Sequence, residues 1–142
     1  MLPVCLILAV TVARPNPFSF GSARNDRFDP MRPGLVCWTR HPLLLALVLW
    51  AGAHVVPHGD LGHVILFGTF AVFAALGGRL IDRRKRRETG SDWERLRTDA
   101  AAAPMRIAAP PSATLLRLSA GFGLYAGLIW LHPVLFGVSP LP

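Results

Sequence analysis

Five histidines, His41, His54, His58, His63 and His132, are the residues of this chain best suited to chemistry. His54 and His132 lie inside apolar runs, where an imidazole is costly unless it is paired or ligated. His54 stands three residues before Pro57 and His132 fourteen residues past Leu118, so helices of suitable direction would bring the two to similar depth. A neutral imidazole there suits an axial ligand of heme iron, which makes His54 the first candidate and His132 a partner for it. The plainer reading of each is an interhelical hydrogen bond. His41, between Arg40 and Pro42, is separated from His54 by about 20 Å of helix, so one iron cannot take both. It reads as a helix-start or interfacial residue. His58 and His63 flank Asp60, a pattern that fits a surface metal site or, more simply, solvated turn residues.

Other chemistries find no support. The chain has no nucleophile elbow, P-loop, HExxH or dinucleotide fingerprint. Cys5 and Cys37 form neither a CxxC pair nor a disulfide framework, and they read as inert thiols.

The elements that must hold these histidines are helices in lipid. Hydrophobic residues make up 52% of the 142, and the mean hydropathy is +0.42. A soluble domain of that length needs more polar surface to cover its core. Leu2 to Ala13 is apolar but short of the roughly 20 residues of a span, and no basic residue precedes it as in a signal peptide. It reads as part of a span whose beginning is missing. Residues 14–40 form a loop rich in Pro, Gly and Arg. Residues 41–81 form a helical hairpin: Pro42 to Pro57, opened by a proline suited to a first turn, then a breaker stretch, then Gly62 to Ile81 with its many small residues. The first of these helices is about 24 Å long, so it is short or extends back through Thr39.

Residues 82–112 form a basic loop. Within it Ser91 and Glu94 predict a capping box opening a short helix, with Trp93 and Leu96 placing that helix in the membrane interface. Residues 113–142 carry a last span, Leu118 to Val138, with a kink expected at Pro133. The expected fold is therefore all-α, a polytopic transmembrane helical bundle with a hairpin and a C-terminal span.

The charges sort by side. Of 15 Lys and Arg, five fall between Arg14 and Arg40 and ten between Arg79 and Arg117; none lies in the 56–63 turn or after Arg117. Basic loops stay cytoplasmic, which puts the turn and the C-terminus outside. The run Arg83 to Arg87 reads as a topology determinant or a lipid-headgroup contact. The net charge of +7 thus belongs to a partnership with the bilayer, and no nucleic acid partner is expected.

Several stretches are more specific: Thr39-Arg40-His41-Pro42, Leu49-Trp50 with Ala53-His54, Gly59-Asp60-Leu61, Ile81-Asp82-Arg83-Arg84, and Leu135-Phe136-Gly137 with Ser139-Pro140. With these the chain resembles the NnrU family of bacterial membrane proteins, itself similar to the 15-cis-zeta-carotene isomerases, which are heme b enzymes. The resemblance implies a multi-pass protein of the bacterial inner membrane with a periplasmic C-terminus. It also implies a link to denitrification and nitric oxide metabolism, with denitrification proteins or further membrane subunits as partners. Carried over by position, His54 matches a heme b ligand, and His41 a second family histidine. Relatives have additional N-terminal spans, one with a histidine, so this chain is expected to be N-terminally truncated. Two alternatives stand beside a heme-binding role: a non-catalytic assembly subunit, and a heme-dependent carotenoid cis-trans isomerase.

Overall fold

The computed structural model describes residues 1–21, 23–58, 60–106 and 109–139. Gly59 of the expected turn, Ile107 and Ala108 of the linker, the Pro140–Pro142 tail and the His58 side chain lie outside the described residues. The elements are α1 (Leu2–Thr11), α2 (Pro42–His58), α3 (Leu61–Thr89), α4 (Ser91–Ala102) and α5 (Pro111–Phe136), with two short 3-10 turns at Asn25–Arg27 and Gly34–Cys37. The described residues contain no strand, as the all-α expectation requires.

Local chemistry sets the boundaries. Pro42 opens α2 at a position where no backbone donor is needed, and the His41 carbonyl accepts the first helical bond, from Leu45 N–H at 3.0 Å. The helix therefore does not extend back through Thr39, whose Oγ1 instead accepts from the His41 N–H at 3.4 Å. Asp60 caps α3 by accepting the His63 N–H at 3.1 Å. The apolar pattern stops at Ile81, but the helix does not: long-chain Arg, Lys and Glu are good helix formers, and Glu88 accepts from Arg84 and Lys85 one turn back. The expected capping box does not form. Gly90, at φ +63°, occupies the cap of α4, while Ser91 is already helical and makes no capping bond. Glu94 pairs with Arg86 and Arg97 instead. At the far end, α5 starts seven residues before Leu118 and runs past Pro133 to Phe136, where Gly137 at φ +73° ends it.

The helices pack as a row: α5 on α1, α1 on α2, α2 on α3. Small residues set the spacing. A Cβ on Gly121 would stand 3.1 Å from Ala9 Cβ and 3.2 Å from the Cys5 carbonyl oxygen, so α5 meets the backbone of α1. Arg117 Nη1 donates to the carbonyls of Ala9 and Val12, both at 2.9 Å, satisfying acceptors that the end of α1 leaves open.

Two helices, α3 and α5, are long and apolar enough to cross a membrane; α1 and α2 are apolar but shorter. A long apolar helix in a soluble protein buries its surface, yet here Phe73 and Trp130 are 65% and 75% exposed. That pattern suggests a membrane protein.

The packing of α4 uses a residue expected to face the interface. Trp93 turns inward, onto Phe18, with the rings edge to face at 6.0 Å; Phe28 meets Phe18 likewise at 5.7 Å. Ala100 completes this small core, flanked by Val36 and Leu96. With this core the described residues of the 14–40 loop form a cap on α4. Burying a side chain like Phe18 contributes roughly 2–3 kcal/mol.

Candidate functional site

The densest polar cluster lies where the cap meets the hairpin. Asp82, one residue past the apolar part of α3, holds two neighbours from the start of α2. Its Oδ2 accepts from Arg40 Nη2 at 2.6 Å, and its Oδ1 accepts from Arg40 Nε at 3.3 Å. Oδ1 also bonds His41 Nε2 at 3.0 Å. On the other side of the ring, His41 Nδ1 meets Ser19 Oγ at 3.1 Å. Asn16 fixes the loop by donating from Nδ2 to the Arg40 carbonyl at 2.9 Å and accepting the Phe18 N–H at 3.0 Å.

The charge of His41 follows from opposing influences. Burial lowers its pKa from the usual imidazole value and outweighs the upward pull of the Asp82 carboxylate, while Arg40 lowers it further. The ring is therefore neutral near pH 7. A carboxylate can only accept, so Nε2 carries the proton and donates to Asp82, which leaves Nδ1 to accept the Ser19 hydroxyl. Above the cluster, the guanidinium groups of Arg86, Arg97 and Arg40 lie 4.8, 5.6 and 5.9 Å from the Trp93 ring centroid. The Trp93 indole N–H is buried without a hydrogen-bond partner among the described residues.

By connectivity this is a Ser-His-Asp array, which in hydrolases activates a nucleophile. Ser19 is only 3% exposed, however, and α3 crosses the ring at Gly78, so no substrate reaches Oγ. The cluster acts as a latch joining the cap, α2 and α3.

A family model described as NnrU protein matches residues 1–140. The chain belongs to the NnrU family. No curated protein and no solved structure matches it. In this NnrU chain the latch joins two of the stretches singled out in the sequence, Arg40-His41 and Asp82.

The remaining candidate residues sit elsewhere. His54 Nδ1 bonds the Trp50 carbonyl at 2.7 Å, and the ring stacks on Phe67 at 4.9 Å between centroids. His63 also faces Phe67 and bonds Asp60. His132 Nδ1 bonds the Val138 carbonyl at 2.8 Å beside Phe136. His54 and His132 thus each bond a backbone carbonyl on or just after their own helix, α2 and α5 respectively. Among the described residues no three His, Cys, Asp or Glu converge as a metal site. Sequence reasoning missed Ser19, Asn16 and Asp82. Asp82 carried the one usable signal, a lone acid between an apolar run and five basic residues.

Proposed function

We propose that this NnrU chain is an integral protein of the bacterial inner membrane, working as a non-catalytic membrane component of nitrogen-oxide metabolism. Its basic cap faces the cytoplasm and its apolar helices face lipid. The observation that carries the reading is the latch: its most reactive groups, Ser19 and His41, are spent on each other and on Asp82, closed to substrate. A polar cluster of this kind positions helices; it does not turn over a ligand. The exposed apolar faces of α3 and α5 support lipid as the solvent.

Complementation of a deletion strain during growth on nitrate tests this. Asp82→Asn should fail to restore growth while His54→Ala restores it. The reverse result would overturn the proposal.

One observation favours a heme role for His54. Its Nδ1 bond to a backbone carbonyl is the kind that fixes the tautomer and orientation of a ligating imidazole. Heme would supply redox chemistry at iron. A Soret band in the purified protein that disappears in His54→Ala would establish this second reading.

A further inference from the structure

We propose that the cleft between α4 and the Gly34–Cys37 turn is a binding site for the phosphate of an acidic phospholipid headgroup. The inference rests on the membrane reading above and adds a specific ligand to it. The cleft has a volume of about 440 Å³ and two chemically distinct parts. Its apolar wall includes Phe18, Val36 and Ala101, and Arg40 and Arg97 supply its charge.

Both guanidinium groups keep donors in reserve. Asp82 takes Nε and Nη2 of Arg40, which leaves Nη1 without a bond among the described residues. Glu94 takes only Nη1 of Arg97, at 3.3 Å. Two planar forks bordering one cleft match the tetrahedral oxygens of a phosphate better than a single lysine would. Arg86 stands on the same Trp93 ring, so three cations face two carboxylates, Asp82 and Glu94, and the region stays positive.

Position favours a lipid over a free ion. Arg40 lies two residues before α2 and bonds Asp82 at the end of the apolar part of α3, the depth at which headgroups meet spanning helices. Trp38, which also lines the cleft, is 77% exposed, as an indole anchored among headgroups is. The acyl chains would leave the cleft along the exposed surface of the hairpin. Basic pockets at this level hold anionic headgroups in other membrane proteins.

Native mass spectrometry of the full chain, released from micelles holding equal phosphatidylglycerol and phosphatidylcholine, tests the site. One phosphatidylglycerol should be retained in preference. Arg97→Gln should lower that preference about tenfold, the scale of one charge-assisted hydrogen bond. Ala101→Trp, which fills the cleft and leaves its charges alone, should do the same, and Arg95→Gln, an exposed arginine of α4 that pairs with Asp92 and does not line the cleft, should change nothing. Equal retention in wild type and Arg97→Gln, or an equal loss in Arg95→Gln, would overturn the proposal. Displacement of the lipid by millimolar inorganic phosphate would show a free-phosphate site and overturn the lipid assignment. Recovery of the chain in the soluble fraction after carbonate washing would remove the membrane reading itself, a result distinct from the others.

Discussion

Gly78 of α3 lies so close to His41 that a Cβ built on it would stand 3.0 Å from the imidazole Cδ2. The ring cannot retreat, because Ser19 and Asp82 hold it from either side. Overpacking of this kind costs about 1–3 kcal/mol, and the better helix propensity of alanine returns less than about 1. Gly78→Ala should therefore lower the thermal midpoint in detergent, and Gly78→Val should lower it further. Gly127→Ala, where an added Cβ meets nothing within 4 Å, serves as the control and should leave the midpoint unchanged or slightly raised by helix propensity alone.

Replacing Asp82 with Asn removes the charge that Arg40 and His41 share. The carboxylate is only 19% exposed, and breaking a partly buried pair leaves a guanidinium poorly compensated. A loss of about 2 kcal/mol is expected, smaller than for a fully buried pair because Arg40 keeps some access to water. Chemical denaturation of reconstituted protein measures it, and a double-mutant cycle with Arg40→Gln should show strong coupling.

Acidification should loosen the latch. The folded pKa of His41 is lowered, so as pH falls below the ordinary imidazole value near 6.5 the unfolded chain takes up its proton first. Stability is thus full above that value, declines as pH falls toward the lowered folded pKa, and levels off below it. Thermal midpoints recorded from pH 7.5 to pH 5 should show this slope, and His41→Gln should flatten it.

Trp93 separates ring packing from indole hydrogen bonding. Trp93→Ala opens the cap core and should cost about 3–5 kcal/mol. It should also loosen α4 and speed trypsin cleavage after Arg95 and Arg97, whose side chains are already exposed. Trp93→Phe keeps an aromatic ring beside Phe18 and removes a buried N–H that has no partner among the described residues, so it should cost much less.

The helices were legible because their signals are local. Pro42 at a first turn and the apolar runs act within a few residues, and the all-helical character they imply is what the described residues show. The cap was not legible. Phe18, Phe28 and Trp93 sit among arginines and prolines, and only long-range packing reveals that the aromatics meet. Ser91 and Glu94 have the spacing of a capping box, but Gly90 at positive φ takes the cap and Glu94 finds stronger partners in Arg86 and Arg97. Histidine placement was half readable. The apolar runs marked His54 and His132 as needing partners, and each has a backbone carbonyl, of Trp50 and of Val138. His41 read as a helix-start residue, which it is, but its bond to Asp82 spans 41 residues and leaves no periodic trace.

The clasp of Arg117 on Ala9 and Val12 ties residues 105 to 108 positions apart in the sequence. A ribosome delivers α1 long before α5 exists. Until then the carbonyls of Ala9 and Val12 lack the guanidinium that satisfies them. This contact is thus ordered in time: the hairpin can settle early, whereas α1 gains its clasp only after α5 has been made.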